Sequence, residues 1–255
     1  MRKNDKINIL ISVLLILGFI SLALSILYLS SYLIILSLSF IFWGGILFYV
    51  APSRHVPLLF LNATAESAEN NIERVLTEFN LTEKGIYLPP KNLFDPEKSL
   101  VFVPKIQKQK LPEPEETRIT GLLNINHNGL FLTPLGFALS EIFEHKIGRS
   151  FTKTDLSFLE KNLSMLLTEE IGIVENIEIV AQNSKITLII KGSIFEEDNT
   201  ETIKFPLTYN ALGRLLSSSL ACVLAKATGK AIIIENERII EEEKITKIEY
   251  LMVEE

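Results

Sequence analysis

Between Lys6 and Arg54 the sequence contains no Asp, Glu, Lys or Arg, and this charge-free run constrains the fold more than any other feature. A helix needs about 20 apolar residues to cross a hydrocarbon core about 30 Å thick, at a rise of about 1.5 Å per residue. Residues 7–29 supply one such segment and residues 32–50 a second, with Ser30-Ser31 between them as a tight turn. A cleaved signal peptide would have an apolar core of about 7–15 residues and then a small-residue cleavage site. The first run is too long for that, and a second follows at once. The pattern predicts a transmembrane helical hairpin over residues 1–54 that holds the chain in a lipid bilayer through residues 7–50.

The flanking charge sets the expected orientation. Arg2, Lys3 and Lys6 precede the first span and Arg54 follows the second, while the turn between the spans is uncharged. Basic flanks stay in the cytoplasm. The expectation is therefore a two-span, multi-pass cell-membrane protein with both termini cytoplasmic. Tyr28, Tyr32 and Tyr49 fall where interfacial aromatics sit, whereas Trp43 lies within the second span. Three triplets (Asn62-Ala63-Thr64, Asn80-Leu81-Thr82 and Asn162-Leu163-Ser164) match the N-glycosylation acceptor pattern, which is inert inside a cell. Neither span carries an ionisable residue, which argues against transport or proton relay. Gly18, Ser21 and Ser25 on the first span and Gly44-Gly45 on the second allow close helix approach, within the hairpin or between copies in a homo-oligomer.

The anchor also accounts for the high mean hydropathy of +0.29. Four of the 25 basic residues and one of the 31 acidic residues lie before His55, so the remainder is strongly acidic. Such a surface is unsuited to nucleic acid, whose binding rests on phosphate neutralisation by Lys and Arg, and it would not lie flat on an anionic leaflet. Cys222 is the only cysteine, so an intramolecular disulfide and a four-cysteine zinc site are both excluded.

Beyond the anchor the periodicities predict an α+β domain of antiparallel strands packed with helices. In residues 55–104, Asn62 caps a docking helix to Phe79 with Ala65, Ala68, Ile72, Val75, Leu76 and Phe79 on one face, followed by short strands at 85–90 and 100–104. Residues 105–120 read as a polar, proline-interrupted loop. Residues 121–255 form the core domain. Asn128-Gly129 is a type I′ hairpin signal, Thr133-Pro134 starts a helix that carries Leu135, Ala138, Leu139, Ile142 and Phe143 on one face, and Gly148 stops it. A second helix covers 155–169 and β-rich runs cover 171–181 and 185–191. A long helix over 209–228 closes at Gly229, and 231–240 with 245–253 make the last hairpin.

Signals for chemistry are few. His55, His127 and His145 have no HxxxH or HExxH spacing, so helical geometry pairs none of them as metal ligands, and His145 at a helix end suits the macrodipole. Walker loops, dinucleotide-type glycine loops and a GxSxG elbow are absent. The acidic clusters 113–116, 196–198 and 241–243 fall in turns and read as solvated surface. The sequence therefore assigns no catalytic, cofactor-binding or metal residue. Ser218, Cys222 and Ala225 form a narrow small-residue stripe on the last helix, a place where a strand or partner helix approaches closely or a pocket opens.

The segments GIYLPP (85–90), GLFLTPLGFALSEIFE (129–144) and SSLACVLAKATGKAI (218–232) resemble a group of archaeal two-span membrane proteins of unknown function. That resemblance spans most of the chain and implies no activity. From Leu156 onward, the order helix, two strands, helix, glycine, hairpin is similar to small-molecule-binding domains of the vinyl-reductase type, related to vesicle-tethering subunits. The resemblance implies an apolar ligand or a dimer. The hairpin cysteines common in those domains are missing around Glu235-Asn236-Glu237-Arg238. The leading expectation is a non-enzymatic, membrane-tethered cytoplasmic binding or assembly domain. An apolar-ligand or lipid sensor, with a closed pocket between the last helix and the sheet, is one alternative. A membrane-bound enzyme using Cys222 or His145 is the other.

Overall fold

The computed structural model describes residues 3–28, 30–50, 58–106, 111–117, 125–126, 129–182, 184–193, 204–240 and 244–253. Arg2, Arg54, His55, His127, Asn128 and the clusters 196–198 and 241–243 lie outside them. The chain divides into two compact units, Met1–Thr64 and Ala65–Glu255.

The first unit contains α1 (Lys3–Tyr28) and α2 (Ser31–Val50), joined at Ser30. Both are long and apolar enough to cross a membrane, over Ile11–Tyr28 and Ser31–Tyr49. The two helices meet along a seam of small residues spaced by seven: Gly18 and Ser25 on α1, Ser37 and Gly44 on α2, all buried. A seven-residue repeat keeps one stripe of a helix facing its partner, and small side chains bring the backbones close. A Cβ on Gly18 would lie 2.7 Å from Ile41 Cγ1, and one on Gly44 would lie 2.8 Å from Leu15 Cδ2. Gly45 is different, with no heavy atom within 4 Å of such a Cβ. Leu27, Phe48 and Tyr49 are exposed on the outside of the pair.

The second unit is α+β. Its strands are β1 (Ile86–Tyr87), β2 (Val101–Pro104), β3 (Ile125–Asn126), β4 (Gly129–Leu132), β5 (Asn176–Gln182), β6 (Lys185–Lys191), β7 (Ala231–Ile240) and β8 (Ile245–Val253). Among the described residues they form one eight-stranded sheet in the order β3-β4-β2-β1-β7-β8-β6-β5, antiparallel at every pairing. α3 (Leu58–Glu78) runs across the boundary at Thr64, and the remaining helices are α4 (Phe137–Ile147), α5 (Leu156–Met165, continuing as a π-helical turn Leu166–Glu170), α6 (Pro206–Leu212) and α7 (Leu215–Thr228).

Side chains alternate across a strand, and β1, β2 and β4 are buried on both faces. Tyr87, Val101, Val103, Leu130 and Leu132 join the main core with α4, α5 and α7. Ile86, Phe102 and Phe131 enter a smaller core with Leu88, Leu93 and Leu100. Phe102 and Phe131 are register partners with ring centroids 5.0 Å apart. Residues 88–94 and 111–117 are tied together beside this second core: Asn92 donates to the Pro112 carbonyl at 3.2 Å and the Phe94 N–H donates to Thr117 Oγ1 at 2.8 Å.

Several expectations are corrected. The docking helix begins at Leu58, so Asn62 lies inside α3 and does not cap it, and Ala68 is exposed while Ile72, Val75, Leu76 and Phe79 pack inward. Gly129 is a strand residue paired with Asn126 and has no positive φ, while the other half of the expected Asn128-Gly129 turn lies outside the described residues. The first helix of the core starts at Phe137 with Gly136 at its N-cap. Tertiary contact overrides the Thr-Pro signal there: a Cβ on Gly136 would lie 2.0 Å from Ser219 N, so α7 fixes this turn. Ile142 is half exposed. The run 171–181 enters the sheet only at Asn176. The long helix over 209–228 is two helices, broken at Gly213, whose φ of 64° is the left-handed region that favours glycine.

Candidate functional site

The break between α6 and α7 gathers more buried polar groups than the rest of the described core. α7 is buried almost throughout its length, so its first turn cannot use bulk water for the amides that every helix start leaves unpaired. Ser217 supplies a partner from inside the helix. Its Oγ accepts the Arg214 N–H at 2.8 Å, lies 3.0 Å from the Arg214 carbonyl, and donates to Glu237 Oε2 at 2.8 Å. The Tyr250 hydroxyl donates to the Ser217 carbonyl at 2.9 Å. The Tyr87 hydroxyl donates to the Leu212 carbonyl and sits 2.8 Å from Ser218 Oγ, which also accepts the Gly136 N–H at 3.0 Å. Strands β1, β7 and β8 thus each send one polar side chain to the same corner.

Glu237 reaches this corner through a sheet irregularity. Ile232 and Ile234 face the core from β7, so simple alternation would bring Asn236 inward next. The register of β7 against β8 slips between Ile234 and Asn236, and Ile248 pairs with Glu237 instead. A bulge of this kind re-aims side chains. Here it turns a carboxylate towards the start of α7, where the helix dipole favours negative charge. Burial pushes the Glu237 carboxyl above its ordinary range, against the pull of the Ser217 hydrogen bond and the Arg214 charge. Burial also pushes the Tyr87 and Tyr250 hydroxyls well up, so both are neutral donors. A small cleft of about 20 Å³, room for about one water, opens beside Glu237. Ser193, Arg214, Leu216, Ile239, Thr246 and Ile248 line it with Glu237.

Ser218, Cys222 and Ala225 are all buried, on the part of α7 that faces Tyr87, Gly136 and Ser140. Gly136 meets the stripe at Ser218, and Ser99 and Ser140 meet it at Cys222. Burial raises the Cys222 thiol to about 12, opposed by Lys226 and by hydrogen bonds with Ser99 and Ser140. That leaves almost no thiolate at neutral pH. His145 is exposed in the last turn of α4. Between α7 and the sheet, Leu220, Val223 and Leu224 share one packed core with Ile232, Ile234, Ile248 and Tyr250. At the far end of α7, Lys226 Nζ donates to Glu144 Oε2 at 3.0 Å, and Glu144 Oε1 accepts the Phe151 N–H at 2.9 Å. Burial works to raise the Glu144 carboxyl, yet the bonds from Ser150, Lys226 and Phe151 hold it below its ordinary value. Among the described residues no three His, Cys, Asp or Glu side chains lie together as a metal site.

Sequence reasoning missed Arg214, Ser217 and Glu237. A signal existed at Gly213, a glycine inside a helical pattern. The second signal, the bulge, is hidden because Ile232-Ile233-Ile234 fits either phase of the strand.

Residues 2–250 match the family described as "Domain of unknown function (DUF7982)". The chain belongs to this family. The match takes in both apolar helices and nearly all of the α+β unit, so family members are expected to share the two together. No match is found among curated proteins. Among solved structures, the chain is similar to a trafficking protein particle complex subunit 3 from Naegleria fowleri covalently bound to palmitic acid, at 11% identity over 46% of this chain and 72% of that one, with a TM-score of 0.29. That score is too low for the likeness to inform the reading that follows.

Proposed function

We propose that this DUF7982 chain is a membrane-tethered binding or assembly domain, held by α1 and α2 with its α+β unit on the cytoplasmic side. The observation that carries the reading is the pairing, in one chain, of two outward-apolar helices with a folded unit whose buried polar groups brace its own elements. The glycine seam of α1 and α2 closes within the hairpin, so it supports a defined helical pair. The self-associating form of the reading uses the face of α2 around Gly45, where Phe42, Phe48 and Tyr49 are exposed. The cytoplasmic placement rests on the basic residues at both ends of the hairpin.

Native mass spectrometry of the intact chain released from mild detergent tests this. A multiple of the chain mass without adduct is the expected result. A stoichiometric apolar adduct on a single chain would replace assembly by ligand sensing. A bare single chain would overturn self-association.

A further inference from the structure

We propose that β5 is a docking edge for a second copy of this chain, the two β5 strands pairing antiparallel about Ile179 so that their sheets run on as one. The proposal rests on the self-association part of the reading above, but puts the contact on the α+β unit and not on the Gly45 face of α2. β5 is the last strand of the sheet, and among the described residues nothing pairs with its outer side. Which backbone groups point there follows from the register. The Met252 N–H donates to the Ser184 carbonyl at 2.7 Å, and these two residues stand opposite one another in the frame that pairs Lys185 with Leu251. Hydrogen-bonded and non-hydrogen-bonded pairs alternate along an antiparallel ladder, so the even-numbered residues of β6 bond to β8 and the odd-numbered ones to β5. Through the β5–β6 register, Asn176, Glu178, Val180 and Gln182 turn their amides towards β6. Ile177, Ile179 and Ala181 turn theirs outward.

Natural edge strands are kept from pairing by shortness, proline, lysine or a bulge. β5 has none of these: it is seven residues long, pairs with β6 without a register shift, and carries Glu178 as its one charge. Its sequence also fits itself. A two-fold axis at Ile179 sets Ile179 against Ile179 of the second copy and Ile177 against Ala181, so each outward N–H meets an outward carbonyl along the strand. The same register sets Glu178 against Val180 and Asn176 against Gln182, with no like charges directly opposed. An axis at Glu178 would oppose the two carboxylates. Val180 is 42% exposed and Ile179 half-buried, so the pairing also covers apolar surface at the edge. A second copy brings all of these matches at once, and that selects it as the occupant.

The test is sedimentation velocity of the intact chain in neutral detergent across a range of concentrations. The unaltered chain is expected as a dimer. Ala181→Pro removes an outward N–H at an exposed residue, a position where an edge strand tolerates proline. One interchain bond goes from each copy, so the dissociation constant should rise about ten- to a hundredfold with the circular dichroism spectrum unchanged. Should Ala181→Pro not fold, Val180 gives the second check. Val180→Glu, opposite Glu178 of the second copy, should weaken the dimer, and Val180→Lys should not. A dimer that neither Ala181→Pro nor Val180→Glu weakens would overturn the β5 contact and leave self-association through α2 standing. A single chain throughout would overturn both.

Discussion

Glu73 Oε2 lies 2.7 Å from both the amide nitrogen and the hydroxyl oxygen of Thr208, so a carboxylate on α3 caps the start of α6. Its other oxygen accepts the Leu207 N–H at 3.1 Å. At the far end of α6, the Gly85 N–H donates to the Ala211 carbonyl and the Tyr87 hydroxyl donates to that of Leu212. Both ends of this short helix are therefore held by other elements. Losing a helix cap costs about 0.5–2 kcal/mol. Glu73→Ala is expected to lower the melting temperature of the intact chain in detergent by about 2–4 °C per kcal/mol lost. An unchanged melting temperature would mean that the cap does not hold α6.

Gly136 carries a sharper expectation. Any side chain there meets the backbone of α7 at Ser219, which cannot rotate away. Gly136→Ala should destabilise the α+β unit by about 3 kcal/mol, at the upper end of overpacking penalties. Chemical denaturation followed by far-ultraviolet circular dichroism would show it as a lower midpoint.

The Lys226–Glu144 pair is largely buried, with side chains 7% and 21% exposed. Breaking such a pair from one side costs about 3–5 kcal/mol, so Lys226→Met should be clearly destabilising. The folded-state carboxyl of Glu144 is lowered, so its contribution is complete above the ordinary carboxyl range and is lost as pH falls through the lowered value. The gap between Lys226→Met and the unaltered protein should narrow on acidification. A gap independent of pH would show that packing of the lysine stem, and not its charge, is what matters.

Cys222 should resist alkylation. With its thiol raised to about 12, only about one molecule in ten thousand carries a thiolate at pH 8, before burial is considered. Iodoacetamide should modify it only once denaturant is added. Rapid labelling of the folded chain would contradict this and favour the reading in which Cys222 is a reactive group.

The legible part of the fold was local. Charge absence marked both apolar helices, and the last hairpin falls at the boundaries its β-branched runs and acidic bend imply. Gly148 and Gly229 end α4 and α7 with positive φ, as residues without a Cβ penalty do. The parts that failed depend on distant contacts. Asn62 has the right chemistry for a cap, yet the helix runs through it. Thr133-Pro134 has the right chemistry for a helix start, yet α7 displaces that start to Phe137 by its contact with Gly136. The stripe at Ser218, Cys222 and Ala225 was visible as a stripe, but only the fold shows that this chain's own Gly136 meets it at Ser218 and its own Ser99 and Ser140 at Cys222. Glu237 was not visible, because a one-residue slip in β7 decides which way it points.

Orientation has its own test. A reporter that fluoresces only in the cytoplasm, fused after Glu255, should be bright if the basic flanks retain both ends there. A dark fusion, with a periplasmic-type enzymatic reporter active at the same site, would invert the topology.

The central claim is that α1 and α2 hold this chain in a bilayer, and alkaline carbonate extraction of membranes containing the intact protein tests it most directly. Two spans of the observed length and hydropathy should keep the chain in the membrane pellet after extraction. Release into the supernatant would contradict the account, since peripheral association breaks under that treatment and a spanning hairpin does not.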